Sequence, residues 1–98
     1  MSQQKQSVTV RIAGEEYAIR AEATADYTKS CARYVDDRIA EIRKRSGLVE
    51  THKAAILAAL SITDEFVQTR DELDKLRREV ASRADNLVKR IADEVGEA

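Results

Sequence analysis

The chain holds one histidine, His52, and one cysteine, Cys31, so any nucleophilic, general-base or metal chemistry would have to be built around single side chains. An activated nucleophile needs a neighbouring base, and a metal site needs several ligands at characteristic spacings. No such constellation can be picked out, and no glycine-rich phosphate loop is visible. Asp36 and Asp37 are adjacent, so on a helix their side chains diverge by about 100° and cannot form a carboxylate pair. His52 reads as a solvated residue in the first turn of a helix, and Cys31 as a small core residue on an apolar helix face. The expectation is a protein without a catalytic, cofactor-binding or metal site. Arg43-Lys44-Arg45 is the more informative cluster. It places positive charge where a helix ends, complementing the dipole and setting Arg45 one turn from Glu41. The same run can also dock an acidic surface of a partner. Thr9, Arg11 and Arg20 form a second candidate surface, on the polar face of a hairpin.

Three elements would position these residues. In 8–20 the pattern has a period of two: Val8, Val10 and Ile12 share one face, Thr9 and Arg11 the other, and Tyr17 and Ile19 resume the alternation. Gly14 sits at the reversal and can supply a positive φ, so this is a β-hairpin. A lone hairpin is marginal in water, so its apolar face must lie on helices, its own or a second subunit's. Residues 25–46 form a first helix, with Tyr27, Cys31, Val35, Ile39 and Ile42 as its apolar face. Thr24 is its N-cap, Asp26 sits in its first turn and Gly47 follows its end. Leu48 to Glu50 make a short link, and Thr51 caps the second helix.

From 51 to the end of the sequence the chain reads as one helix, unbroken by proline, with no glycine before Gly96. At 1.5 Å per residue it would extend roughly 65–70 Å. Its opening, Ala54-Ala55-Ile56-Leu57-Ala58-Ala59-Leu60-Ser61-Ile62, is apolar on nearly all sides and reads as the buried centre of a head, where alanines let helices approach closely. Along the helix Ile56, Leu60, Phe66, Val67, Leu73, Leu76, Val80, Ala84, Leu87, Ile91 and Val95 follow one another mostly by threes and fours, the seam of helices packed along their length. Leu76, Val80 and Ala84 take two fours in succession, a stutter that unwinds a supercoil. Arg83 and Arg90 fall where a strict heptad counted from Leu76 wants apolar residues, which suits a near-straight bundle with a partly polar seam. Acid precedes base by four residues at Asp71 and Lys75, Asp74 and Arg78, Glu79 and Arg83, and Asp85 and Lys89. Such pairs contribute a few tenths of a kcal/mol each, so they tune solubility and register rather than stability. A helix this long cannot bury its stripe against so short a chain; it needs another copy or a partner.

Composition narrows the class further. Of 98 residues 36% are charged and only 4% aromatic, material for a long-helix protein rather than a large compact core. The net charge of −1, with seven basic and seven acidic residues between Gln68 and Glu94, gives no electrostatic case for a nucleic-acid or membrane partner. A single cysteine cannot form an internal disulfide, which fits a reducing cytoplasm. The first residues are polar, without the apolar stretch of a signal peptide, and no segment reaches the roughly 20 apolar residues of a membrane span. The fold class expected is α+β, mainly α. A flexible N-terminus (1–7) precedes a head over 8–66, made of the hairpin, the helix at 25–46 and the start of the long helix from 51. Residues 67–98 form a coiled-coil extension.

Three stretches together resemble a known family: the hairpin Val-Thr-Val-Arg-Ile-Ala-Gly, the helix end Arg-Ile-Ala-Glu-Ile-Arg-Lys-Arg, and Ala58-Ala59-Leu60-Ser61-Ile62-Thr63-Asp64-Glu65-Phe66. The pattern over residues 8–95 is similar to ZapA, the bacterial cell-division protein. The resemblance implies binding to FtsZ, the tubulin-like division GTPase, and bundling of its protofilaments at midcell, in the cytoplasm and without catalysis. It also implies a homodimer, and two dimers joined antiparallel into a homotetramer through the seam of Leu60, Phe66, Val67, Leu73, Leu76, Val80, Leu87 and Ile91. The family's charged head positions carry over to Arg43; Arg45 stands beside a basic position that is Gly47 here, and the basic residue that can follow the hairpin glycine is Glu15. Arg43, Arg45 and Arg11 are therefore the expected partner-binding residues. The competing class is a general coiled-coil adaptor or chaperone-like complex subunit. Its apolar tip is not matched by Arg90, Asp93 and Glu94.

Overall fold

The computed structural model describes residues 6–47 and 50–96. In chain order they form β1 (Gln6–Ile12), β2 (Glu15–Ala21), α1 (Ala25–Ser46) and α2 (Thr51–Gly96). The class is mainly α with an N-terminal hairpin, as the periodicities require. The expectations for 1–5 of the flexible terminus, for Leu48 and Val49 in the link, and for the end of the long helix at 97–98 lie outside the described residues, while Gln6 and Ser7, expected in that terminus, pair within β1.

β1 and β2 pair antiparallel, with Val8 opposite Ile19, Val10 opposite Tyr17 and Ile12 opposite Glu15. Ala13 and Gly14 make the two-residue turn, with φ of 53° and 84°. Two positive φ values in succession are those of the hairpin turn whose twist matches the strands. Gly14 adopts its value freely, whereas Ala13 does not. Ala13 is held there by α1: its N–H donates to Asp36 Oδ1 at 2.8 Å.

Thr24 caps α1 as expected, its Oγ1 accepting from the Tyr27 N–H at 3.2 Å while its carbonyl accepts from the Thr28 N–H at 3.0 Å. Gly47 terminates the helix in the left-handed region, with φ 66° and ψ 12°. The cap of α2 falls one residue earlier than expected. The Glu50 carbonyl accepts from the Ala54 N–H at 3.2 Å, so Glu50 holds the capping position and Thr51 is already helical.

The contacts divide the chain into two units, up to Thr63 and from Asp64 onward. In the first, the core has two adjoining clusters. Val8, Val10 and Ala32 pack with Ile12 and Ala25. Ile39, Ala54 and Ala58 pack with Ile12, Val35 and Ile42. Ala54 is 0% exposed. Small side chains at 54 and 58 let α2 lie close against Ile39. Arg38 also joins the helices: its Nη1 donates to Ser61 Oγ at 2.7 Å, and its Nε lies 3.6 Å from Glu41 Oε1, with the side chain only 14% exposed.

Two apolar expectations are corrected. Cys31 is exposed, and so is Tyr27. Three steps of four residues advance 40° each beyond a full turn, so a face drawn through Tyr27, Cys31, Val35 and Ile39 winds around the helix. The buried side of α1 runs instead through Ala32, Val35 and Ile39. The apolar opening of α2 is likewise only partly enclosed: Ala54 and Ala58 are buried, while Ile56, Leu57 and Leu60 are exposed, Leu60 to 63%. Val8 and Val10 of β1 lie on α1, but their cross-strand partners Tyr17 and Ile19 remain open.

The second unit is the remainder of α2. Its side chains are exposed except at Val67, which is half-buried. Of the four spaced acid–base pairs only Asp85 and Lys89 meet among the described residues, at 3.2 Å. Asp71 turns to its neighbour Arg70 instead, at 3.7 Å, and the Arg70 guanidinium lies 5.8 Å from the centre of the Phe66 ring.

Candidate interaction surfaces

Among the described residues no group of three or more His, Cys, Asp and Glu side chains converges to hold a metal ion. Asp36, set aside as half of a carboxylate pair, has a different task as the anchor of the hairpin turn. Neither this role nor the inter-helix role of Arg38 is legible from residue spacing, because both join positions distant in sequence.

The apolar surface is the larger signal. On the second unit Phe66, Leu73, Leu76, Val80, Leu87, Ile91 and Val95 are all exposed, Phe66 to 62% and Val80 to 59%. Val88 adds to them, an apolar residue beside Leu87 that the seam pattern passed over. Scattered exposed leucines are ordinary, but a periodic file of them along one helix is a packing surface without its counterpart. Covering one such side chain stabilises by about 1.5–3 kcal/mol, against a few tenths for a surface ion pair. Apolar contact, not charge, is therefore the larger energy this helix offers a partner. On the first unit Tyr17, Ile19, Ile56, Leu57 and Leu60 are open as well.

The three basic residues expected to bind a partner do not form one patch. Arg43 is half-buried near the end of α1, so it is less free than its place in a basic run implied. Arg45 is well exposed and lies 3.7 Å from Glu41, the pair foreseen from their spacing. Arg11 is on β1, 3.6 Å from Glu16, and it gathers with Lys29 and Arg33 of α1 rather than with Arg43 and Arg45.

A hairpin packed on one helix, followed by a 46-residue helix whose apolar file stands uncovered, defines a coiled-coil protein with a small α+β head. The comparisons agree on which one. The family model described as cell division protein ZapA matches residues 8–93, and the chain belongs to that family. A cell division protein ZapA from Geobacillus thermodenitrificans is 33% identical over 86 residues, covering 84% of this chain and 94% of the relative. One from Geobacillus sp. strain WCH70 is 30% identical over 83 residues, covering 85% and 95%. Among solved structures, one described as an unknown conserved bacterial protein from Pseudomonas aeruginosa PAO1 superposes with a TM-score of 0.68 at 29% identity, covering 87% of this chain and 94% of its own. A ZapA mutant dimer from Geobacillus stearothermophilus gives 0.66 at 29% identity, covering 81% and 92%. Among the described residues no helix is long and apolar enough to cross a membrane.

Proposed function

We propose that this chain is an accessory protein of the division site that self-associates and cross-links FtsZ protofilaments at midcell in the cytoplasm, without catalysis. The observation that carries the reading is the uncovered apolar file along α2 in a chain of the ZapA family. Each chain buries few large side chains of its own, Val8, Val10 and Ile39 among the described residues, so a second copy supplies the missing cover. Residues 8–66 act as the head and 67–98 as the coiled-coil extension. Dimers pair through the head and the start of α2. Two dimers join antiparallel along Leu73, Leu76, Val80, Leu87 and Ile91, with Leu60, Phe66 and Val67 at the head end of the seam.

Heads at both ends of such a particle let one assembly hold two filaments. Weak single contacts then become strong through linked binding, because the second contact forms at a high effective concentration. Arg43, Arg45 and Arg11 are the head residues proposed to meet the filament, their charge serving orientation and encounter more than raw affinity. Co-sedimentation with polymerised FtsZ tests the reading. The protein should pellet with the polymer and thicken it into bundles visible by electron microscopy. Neither binding nor bundling at low salt would reject it.

A further inference from the structure

Beyond the apolar faces, the head carries a charged groove that neither folding nor the seam explains. It lies between β1 and α1 with a volume of about 240 Å³, and Arg11, Lys29 and Arg33 line it together with Thr9, Ala32 and Asp36. Lys29 and Arg33 stand one turn apart on α1, where like charges repel. No carboxylate among the described residues comes within ion-pairing distance of either, Asp37 one turn beyond Arg33 included. Arg11 is held only by exposed contacts, 3.6 Å to Glu16 and 3.4 Å to the Gly14 carbonyl, which water screens and a ligand can displace. The one acid of the groove, Asp36, is engaged by the Ala13 N–H. Lys29 and Arg33 thus share a groove whose one carboxylate is already in use, with Arg11 lining it beside them.

The groove also borders a free strand edge. Among the described residues the sheet has two strands, so β1 pairs with β2 on one side only. Ile12 and Glu15 flank a two-residue turn and exchange backbone bonds, so by alternation Val8 and Val10 direct their amides to β2, and Thr9 and Arg11 direct theirs outward. The strand and α1 run alongside each other, since Val8 and Val10 pack with Ala32 while Ala13 meets Asp36 further along the helix.

We propose that this groove docks an extended acidic peptide segment of a partner protein, which adds to the edge of β1 and sets its carboxylates on Lys29 and Arg33. The spacing selects the peptide. One turn of four residues separates the two cations by about 6 Å along the helix. Alternate residues of a strand lie about 6.6–6.8 Å apart on one face. An acid-x-acid pattern therefore matches the pair and a block of adjacent acids does not. Backbone pairing supplies affinity, and the alternate side chains supply specificity.

Fluorescence anisotropy of the full chain with a fluorescein-labelled decapeptide of alternating Glu and Thr tests the assignment. The decapeptide should bind about tenfold or more tightly than its Gln-Thr counterpart and than a peptide with five Glu followed by five Thr, the loss expected when charge-assisted bonds go unmade. The double variant Lys29→Glu, Arg33→Glu should lose at least about tenfold, whereas Arg77→Glu, Arg78→Glu on the distal part of α2 should leave binding unchanged. Should the first variant not fold, amide exchange of the wild-type protein decides: the Thr9 and Arg11 amides must become protected when the alternating peptide is added. Equal binding of the block peptide, unchanged exchange at Thr9 and Arg11, or tighter binding of a single-stranded decanucleotide would each overturn the proposal. So would a fall in solution mass of the double variant, which would assign the edge to a second copy of the chain.

Discussion

Asp36 shows how one side chain can set a local backbone. Ala13 stands at a positive φ that costs an alanine about 1–2 kcal/mol, and the 2.8 Å bond from its N–H to Asp36 Oδ1 holds the turn in that state. Asp36→Ala leaves a half-buried donor without its partner and should lower stability by about 1–3 kcal/mol, while Asp36→Asn, which retains an acceptor oxygen, should lose less. Urea unfolding at one fixed protein concentration measures both, and equal loss in the two variants would remove the bond from this role. Arg43 is different in kind. Because it is half-buried, part of its side chain is already covered within the chain. Arg43→Gln retains most of that packing, so it should shift the melting midpoint little yet weaken co-sedimentation with FtsZ, and Arg43→Glu should weaken it further. A variant that melts as the wild type and pellets as the wild type would take Arg43 out of the binding surface.

At the level of elements α2 is decisive. Only the Asp85–Lys89 pair closes among its four foreseen ion pairs, so charge contributes little to holding the helix in a particular assembly. The exposed apolar file carries that burden. Val80→Glu would place a charge inside a desolvated seam, where an unpaired carboxylate is strongly unfavourable. It should lower the particle from tetramer towards dimer, and charges at Leu76 or Leu87 should act alike; multi-angle light scattering gives the mass directly. Removing the pair by Lys89→Ala should leave that mass unchanged and alter stability by no more than about 0.5 kcal/mol. If Val80→Glu retained the wild-type mass, the tetramer seam would have to lie elsewhere on α2.

For the whole molecule, the assembly proposed above makes folding and association one equilibrium. A chain whose buried large side chains are so few gains its stability from the copies it joins, and anything that binds only the folded state raises its midpoint with concentration. The melting temperature should therefore climb as the protein is concentrated over two decades, roughly from 1 to 100 µM. A midpoint independent of concentration would mean that each chain is stable alone. The same coupling separates two functions in the Val80→Glu variant. It should still bind FtsZ polymer through its heads but lose bundling, because bundling needs heads at both ends of one particle.

The sequence by itself determined what depends on short separations. Strand alternation gave the hairpin, the Thr24 and Gly47 signals bounded α1, and the absence of proline with a three-and-four spacing of apolar residues gave α2. Periodicity registers these directly, since each arises from neighbours within a turn or a pleat. The basic run at 43–45 and the apolar file along α2 were legible on the same grounds, and the family from its own pattern of residues. Tertiary structure decided which side of each periodic element is covered. Apolar steps of four drift around a helix, so Cys31 and Tyr27 face outward although they continue the same series as Ile39. It also decided the partners that lie 23 residues apart, Asp36 with Ala13 and Arg38 with Ser61, and it gathered Arg11, Lys29 and Arg33 around one groove. Those contacts follow from how α1 lies against β1 and α2, and no local spacing records how separate elements come to rest on one another.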